Sequence, residues 1–125
     1  MAGTRSAAAK LPTTLQPRVK IWLELRGRYA FGFGVCEMLR AVERHGAIKQ
    51  AAGGLGKSYR YVWGRIKQAE KALGRRLVET QVGGKDALRS RLTPEAQRLV
   101  AGFTALRDAM KDLLGREFAR HFDER

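Results

Sequence analysis

Hydrophobic residues in the middle of the chain recur at the spacing of amphipathic helices. Over residues 35–42 they stand three or four positions apart, which predicts a first helix, and the same spacing over residues 48–55 predicts a short second one. A third apolar stripe at residues 62–73 follows Ser58, a residue type that favours the N-cap of a helix. Glycines, which favour helix termination, follow all three stripes: Gly46, Gly56 and Gly74. The pattern therefore predicts three consecutive helices.

Alternating patterns on either side of these helices predict strands. Residues 19–25, VKIWLEL, predict a leading strand, and RGRYAFGFG after it is expected to be a turn-rich connection. The strand residues expected to face the core are Ile21, Leu23 and Leu25. Residues 76–80 and 89–92 are expected to form two short strands around the loop QVGGKDAL, whose glycines suit a tight tip. We interpret this second hairpin as a wing.

A long helix is predicted at the C-terminal end of the sequence. Thr93 supplies a capping hydroxyl, Pro94 the first helical position and Glu95 an acid near the positive end of the helix dipole. The apolar residues that follow have the heptad spacing of a helix that packs along another helix. They are Leu99, Phe103, Leu106, Met110 and Leu113. Packing within the chain is the alternative, but the stripe exceeds what one small core must absorb, so we expect a two-fold homodimer.

The charge of this 125-residue, single-domain chain is concentrated in one region. Its formal net charge of +13 predicts a polyanionic partner, either nucleic acid or an anionic membrane. Residues 57–91 hold ten Lys or Arg against three Asp or Glu, whereas residues 92–125 hold six of each, which indicates a local binding face. No stretch reaches the roughly 18 apolar residues of a membrane span, and a signal-peptide core is absent. We therefore expect a cytoplasmic, nucleoid-associated protein.

The second and third predicted helices have the features of a helix-turn-helix. A short turn with Gly56 joins them, Ala51 and Ala52 are small where the helices must approach closely, and the third helix is basic. In this motif the later helix fits the major groove of DNA. The expected fold is mainly α with a small β component, a winged helix-turn-helix with a leading strand, a two-stranded wing and a long C-terminal dimerisation helix. The expected boundaries are 1–17 for a disordered basic arm, 18–93 for the DNA-binding domain and 94–122 for the dimerisation helix.

The segment GAIKQAAGGLGKSYRYVWGRIKQAEKALGRRLVET resembles the DNA-binding domain of LysR-type regulators and, more closely, that of the ModE family of molybdate-responsive repressors. The resemblance rests on SYRYVW at residues 58–63 and on LVET at 77–80, GGK at 83–85 and LT at 92–93. It covers about residues 19–114 and implies a dimeric winged helix-turn-helix that binds double-stranded DNA.

Three departures limit what the resemblance implies. Lys57 stands at a turn position where the family usually has an apolar residue, so its stem is expected to pack while its charge reaches water. The wing reads GGKDALR at residues 83–89 instead of a glycine-rich segment, which gives a stiffer and more charged tip. Nothing after the last helix corresponds to the family's C-terminal oxyanion-binding domain. Molybdate sensing is therefore not carried over, and no small-molecule effector is expected.

The resemblance and the charge together indicate which side chains contact DNA. Arg60, Arg65 and Lys67 are expected to reach phosphates or base edges, because Arg reads guanine through two hydrogen bonds. Trp63 has two interpretations, a DNA contact or a cover over the junction of the first two helices. Two cations of the wing are expected to clamp phosphates, with a solvated loop as the alternative. The predicted DNA-binding residues are Ser58, Tyr59, Arg60, Tyr61, Trp63, Arg65, Lys67, Lys85 and Arg89.

Residues 51–58, AAGGLGKS, also fit the loose pattern of a phosphate-binding P-loop. A P-loop follows a buried strand, whereas the preceding VERHGAIKQ has no strand alternation, which argues against nucleotide binding. His45 and His121 lack metal-ligand spacing, and Cys36 on the apolar face of the first helix is interpreted as a small buried hydrophobe. We therefore predict no catalytic residue, metal or cofactor, and no enzymatic activity.

The leading hypothesis is a transcription regulator that binds double-stranded DNA sequence-specifically, as a homodimer on a pseudo-palindromic site. One alternative is a nucleoid-type protein that uses the same patch without sequence preference. The other is an RNA-binding or protein-interaction module in which the last helix docks a different partner. The four cations of residues 5–20 are expected to form a solvated tail rather than a minor-groove arm.

Overall fold

The computed structural model describes residues 10–83 and 87–122, and for residues 83, 87 and 88 the backbone alone. The elements are β1 (Trp22–Leu25), β2 (Arg28–Gly32), α1 (Phe33–His45), α2 (Ile48–Leu55), α3 (Tyr59–Leu73), β3 (Val78–Gly83), β4 (Ala87–Leu92) and α4 (Pro94–Phe122). The chain divides into two compact units, one of residues 21–107 and one of residues 1–20 with residues 108–125. The first nine residues of the predicted N-terminal arm lie outside the described residues.

The predicted helices are confirmed, and the two predicted N-caps form. The Ser58 Oγ accepts a hydrogen bond from the Tyr61 N–H at 3.1 Å, which starts α3. The Thr93 Oγ1 does the same for α4, accepting from the Ala96 N–H at 3.2 Å. The first three helices end at the predicted glycines in left-handed conformation: Gly46, Gly56 and Gly74. Local sequence signals therefore determine where these helices begin and end.

The region before α1 is a hairpin, which corrects the prediction of one strand followed by a connection. β1 and β2 pair antiparallel through a two-residue turn at Arg26 and Gly27. Both turn residues have positive φ, at 54° and 77°, as the tight turns that match strand twist require. Arg is an unusual residue for that conformation, so the turn does not stand out in the sequence. Leu25 lies beside the turn and is 43% exposed, so the prediction that it faces the core is wrong.

The core of the 21–107 unit lies between β2, α1, α3 and the first turns of α4. Its largest buried side chains are Phe31 and Phe103, whose rings meet edge to face with centroids 5.5 Å apart. Ile21 and Leu23 pack against this core, as predicted. The other large residues of the core include Leu39, Val42, Val62, Ile66 and Leu77. Cys36 is buried as well, as predicted, and its Sγ lies 3.9 Å from the Thr104 Oγ1.

The wing is the antiparallel hairpin of β3 and β4, which pair from Val78 opposite Leu92 to Gly83 opposite Ala87. Its base is tied to the helices by backbone hydrogen bonds. The Ser90 N–H donates to the Gly46 carbonyl at 2.8 Å, and the Thr93 N–H donates to the Leu77 carbonyl at 3.0 Å. The Thr93 hydroxyl also donates to the Arg76 carbonyl at 2.8 Å. The Ser90 bond ties the wing to the end of α1, and the two Thr93 bonds close the base of the hairpin at the start of α4.

In the unit of residues 1–20 and 108–125, the described contacts are local. The Phe118 and Phe122 rings stack with centroids 4.9 Å apart. The Glu117 carboxylate receives the Arg120 guanidinium at 3.3 Å and the His121 Nε2 at 3.0 Å. All five residues lie at helical spacing in the last turns of α4, where such pairs stabilise the helix end.

Candidate nucleic-acid interface

The turn between α2 and α3 is built from backbone hydrogen bonds and one left-handed glycine. Gly56 has φ of 68°, and the following Lys57 N–H donates to the Ala52 carbonyl at 2.9 Å. This turn brings the small Ala51 and Ala52 of α2, both buried, to the side of α3. Lys57 is exposed, and its Nζ lies 5.5 Å from the centre of the Tyr61 ring. An ammonium over an aromatic face is stabilised there without burial.

The residues of α3 divide by face. Val62, Ile66 and Ala69 are buried in the core. The side away from the core carries the basic residues Arg60, Lys67 and Lys71, all exposed. Two aromatic side chains on one flank, Tyr59 and Trp63, are 46% and 43% exposed. An isolated soluble domain rarely places several large aromatic and cationic side chains together on one exposed helix, and this arrangement marks a binding face.

A groove of about 910 Å³ runs between α2, α3 and the wing, and we name it the cationic groove. Its polar and aromatic lining residues are Lys49, Gln50, Tyr59, Trp63, Lys67, Arg76, Thr80 and Ser90. Three of them are cations, and none of the described lining residues is acidic. The rings of Tyr59 and Trp63 add flat apolar surfaces beside the charges. Such a groove has the chemistry to hold a phosphate backbone and planar groups together.

Glu70 joins α3 to the wing. Its Oε2 accepts hydrogen bonds from the Leu77 N–H at 2.8 Å and the Val78 N–H at 3.1 Å, and its Oε1 lies 3.2 Å from the Lys67 Nζ. Burial acts to raise the pKa of this carboxyl, but the two backbone hydrogen bonds and the Lys67 ammonium outweigh burial and lower the pKa below its ordinary value. Glu70 therefore accepts the two backbone hydrogen bonds as an ionised carboxylate, and these bonds hold β3 against α3.

Lys67 is held on two sides. Besides the Glu70 carboxylate, its Nζ lies 5.7 Å from the centre of the Trp63 ring. These contacts point the ammonium along the cationic groove, where Arg76 and Lys49 also lie. The structure therefore brings together the predicted residues Tyr59, Trp63 and Lys67. Arg60 and Ser58, also predicted, are exposed at the start of the same helix.

Arg65 and Tyr61 lie on the other flank of α3. The Arg65 Nη1 donates to the Tyr61 hydroxyl at 3.0 Å, and its guanidinium carbon lies 5.9 Å from the centre of the same ring. Arg65 also lines a smaller pocket of about 420 Å³ with Tyr29 and Gln68. The predicted contact residues of α3 are thus split, with one group in the cationic groove and this pair on the opposite side of the helix.

On the wing, Arg89 is exposed and stands opposite Gln81 in the hairpin register. Lys85 lies outside the described residues. A neighbouring cation, Arg91, forms an exposed ion pair with Glu79 at 3.5 Å. The cationic groove is lined instead by Thr80 and Ser90 of the wing and by Arg76, which stands just before β3.

Five polar residues of the cationic groove were not among the predicted contacts: Lys49, Gln50, Arg76, Thr80 and Ser90. Lys49 and Gln50 occupy the first turn of α2, on the side away from the buried Ile48, Ala51 and Ala52. That turn has no acidic residue and no side-chain cap, so its helix dipole favours an anion. In the sequence, the polar side of this short predicted helix was the signal that could have identified Lys49 and Gln50 as contact residues. Arg76 needs the fold, since it lines the same groove as Trp63 although the two residues are thirteen positions apart in the sequence.

The predicted partner face of α4 is only partly exposed. Within the 21–107 unit, Phe103 is 2% exposed and belongs to the core of its own chain, whereas Leu106 is 41% exposed and Leu99 is partly buried. In the other unit, Leu113 is 41% exposed and Met110 is partly buried. The predicted seam therefore leaves Leu106 and part of Leu99 accessible in one unit, and Leu113 and part of Met110 in the other. We name these four residues, which have heptad spacing in the sequence, the leucine face.

Within the described ranges, no group of three or more His, Cys, Asp or Glu side chains is placed to hold a metal ion. The helices described have no segment that combines the length and the apolar character needed to cross a membrane. Burial raises the pKa of the Cys36 thiol, which keeps it in the less reactive protonated form.

Comparison with known proteins identifies the helices α1 to α3 and the wing as the part of the chain that a known family shares. The sequence profile described as "bacterial regulatory helix-turn-helix protein, lysR family" matches residues 35–97, from the third residue of α1 through α2, α3 and the wing to the first turn of α4. The molybdenum-pterin-binding protein MopA of Rhodobacter capsulatus is 33% identical over 93 residues, covering 74% of this chain and 35% of MopA. The molybdenum transport protein ModE of Herbaspirillum seropedicae is 34% identical over 80 residues, covering 64% and 30%. The chain thus spans about a third of the curated relatives it matches.

Two solved structures share the fold. A DNA complex of the DNA-binding domain of CbnR aligns with 73% of this chain and 99% of that domain, at a TM-score of 0.57 and 19% identity. ArgP of Mycobacterium tuberculosis aligns with 68% of this chain and 30% of its own, at a TM-score of 0.52 and 22% identity. At these identities the likeness establishes the winged helix-turn-helix fold alone, which is the fold expected from the sequence.

Proposed function

Because the chain belongs to the lysR family of bacterial regulatory helix-turn-helix proteins, we propose that it is a transcription regulator that binds double-stranded DNA sequence-specifically. In this proposal α3 is the recognition helix that enters the major groove, and the β3–β4 wing lies on the flanking sugar-phosphate backbone. That the CbnR domain of the same fold was crystallised with DNA supports the choice of partner.

The observation that carries the proposal is the cationic groove. It gathers Lys49 of α2, Lys67 of α3 and Arg76 of the α3–β3 connection, and none of the described residues that line it is acidic. Cations from separate segments that converge on one surface can neutralise successive phosphates of one strand. Tyr59 and Trp63 lie in the same groove, where they contact the sugar or base surface beside that strand.

We assign reading and clamping to different residues. Arg60 is exposed in the first turn of α3, the part of a recognition helix that reaches base edges, so it is the proposed reading residue. Lys49, Lys67 and Arg76 clamp one strand. The Tyr61–Arg65 pair on the opposite flank clamps the other, because a helix in the major groove lies between two backbones. Arg89, which is exposed on the wing, adds a phosphate contact, and Lys85, outside the described residues, is a further predicted one.

The leucine face supports a homodimer as the DNA-binding form. Leu99, Leu106 and Leu113 are seven residues apart, the repeat by which one helix packs along another. Two of these side chains remain 41% exposed in the chain alone. Two recognition helices related by a two-fold axis bind a pseudo-palindromic site with half-sites one helical turn apart.

Selection of binding sites from a random pool of duplex DNA tests the proposal. We expect enrichment of a motif with two-fold-related halves, and an affinity for it about 10³-fold or more above that for random duplex of the same length at the same salt concentration. Enrichment of nothing, with binding that depends on salt alone, would establish a sequence-nonspecific DNA-binding protein instead. Single-stranded RNA that displaces the duplex in competition would contradict a DNA partner.

A further inference from the structure

We infer that Gly64 sets how closely α3 approaches the base pairs, which makes the helix backbone at this position part of the DNA-reading surface. The inference rests on the proposed function. Gly64 lies inside α3, four residues after Arg60 and three before Lys67. Residues three and four apart are neighbours on a helix surface, so Gly64 lies between these two cations on the side away from the buried stripe.

Glycine at this position weakens the helix. Apart from proline, glycine is the poorest helix former, because it has the most backbone freedom to lose on folding. The backbone at Gly64 is helical, with none of the positive φ seen at Gly27, Gly46, Gly56 and Gly74. Alanine would therefore be the more stable residue here, unless something else requires the absence of a side chain.

Within the described part of the chain, no neighbouring atom requires the absence of a side chain at Gly64. A Cβ built on Gly64 meets no atom within 4 Å outside its chain neighbours and its own helix backbone, among the residues described. Other glycines show what an internal requirement looks like. A Cβ on Gly32 would overlap the Tyr29 hydroxyl, and one on Gly54 would lie 2.8 Å from the His45 Nε2. Nothing comparable surrounds Gly64, so the space above it is open to a molecule outside the chain.

The chemistry around the gap indicates what enters it. Arg60 and Lys67 flank the open backbone, and both are exposed. The Lys67 ammonium is held beside Glu70 and Trp63, and the bare backbone at Gly64 leaves room for a base-pair edge at van der Waals distance. A thymine methyl group or the edge of a purine fits this position, whereas even one added methyl group would hold the helix away from the groove floor. Arg60 then reaches guanine only at this closest approach.

The test uses the full chain and the variant Gly64→Ala, with the duplex that the unmodified protein enriches from a random pool. We expect the thermal midpoint of Gly64→Ala to be equal to or above that of the unmodified protein, since alanine favours the helix. We expect its affinity for the enriched duplex to fall about tenfold, the typical effect of losing one well-fitted base contact. Gly64→Leu, a bulkier good helix former, should lose more.

Gly115→Ala is the matched control, because Gly115 is also inside a helix and equally open, but lies in α4. It should leave DNA affinity unchanged. Equal affinities of Gly64→Ala and the unmodified protein for the enriched duplex would overturn the inference while leaving the proposed function intact. If the pool yields no motif, the proposed sequence-specific function fails, and the same comparison on random duplex decides the inference: a loss supports close approach, and no loss overturns it.

Discussion

α3 and α4 are both amphipathic helices that bury one stripe in the core of the 21–107 unit, yet their exposed faces differ in chemistry. α3 exposes Arg60, Lys67 and Trp63, whereas the part of α4 in the same unit exposes Leu106. The cationic and aromatic face suits a polyanion, and the leucine suits another apolar helix. This difference indicates that the buried residues of a helix show how the chain folds, whereas its exposed residues show which kind of partner it binds.

The first way to test this contrast is to separate the buried side of α4 from its exposed side. Phe103→Ala removes a ring that packs edge to face on Phe31 and leaves a cavity, so the free energy of unfolding should fall by about 3–5 kcal/mol. Leu106→Ala, on the exposed side, should lower the stability of the monomer by less than about 1 kcal/mol. Urea unfolding at low protein concentration measures both. Equal losses would mean that Leu106 belongs to the same core.

The second prediction concerns the partner of the leucine face. Leu106→Glu puts a charge where two subunits are proposed to meet, so sedimentation should show a monomer. Affinity for a duplex with two half-sites should fall about a hundredfold, because the two recognition helices are no longer linked. Ala101→Glu, an exposed position on the same helix outside the leucine face, is the control and should remain a dimer. A monomeric unmodified protein at micromolar concentration would contradict the dimer.

The third prediction addresses the joint between α3 and the wing. The folded pKa of the Glu70 carboxyl is lowered by the Leu77 and Val78 N–H groups and by Lys67 against the opposing effect of burial. Its contribution to stability is therefore complete above the ordinary pKa of about 4.5 and is lost as the pH falls through the lower folded value.

Glu70→Gln should lower the free energy of unfolding at neutral pH by about 2 kcal/mol and remove this part of the acid dependence. Glu79→Gln breaks only an exposed ion pair with Arg91 and should change stability by less than about 0.5 kcal/mol. Denaturant unfolding over a pH series distinguishes the two. If the free energy of unfolding of Glu70→Gln still falls at acidic pH as it does in the unmodified protein, other carboxyl groups are responsible for that pH dependence.

The smallest expected effect separates reading from clamping. Arg60→Ala should weaken the enriched site by about tenfold and relax the base preference at one position of each half-site. Arg89→Ala, on the wing, should weaken all sequences about equally and reduce the slope of affinity against salt by about one counterion. Binding titrations at several salt concentrations measure both quantities. The reverse pattern would exchange the two roles.

Local signals made most of the fold predictable. Ser58 and Thr93 cap their helices through their own side chains, and glycines end three helices, so three to four neighbouring residues determine each boundary. The β1–β2 hairpin was not predicted because its turn places Arg26 at positive φ, a conformation that arginine rarely adopts and that the sequence therefore does not indicate. Phe103 and Leu106 share one heptad stripe, and only the packing of Phe31 decides which of them is buried.

The candidate site was predictable in composition but not in arrangement. Tyr59, Trp63 and Lys67 are exposed on α3 as the periodicity indicates. Arg65 lies one helical turn after Tyr61 on the other flank, which the helical period already implies, but the sequence could not show that its guanidinium donates to the Tyr61 hydroxyl. Nor could it show that Arg76 faces the same groove, since that depends on Glu70 holding β3 from seven residues away.

The Glu70 joint also bears on how fast the protein engages its target. With the Leu77 and Val78 N–H groups bound to this carboxylate, α3 and the wing, the two parts proposed to face DNA, are aligned before any encounter. Docking then loses little conformational entropy, so the association rate is governed by electrostatic steering toward the phosphate backbone. A protein preorganised in this way can sample many sites briefly, and its selectivity resides in how long it stays on the right one.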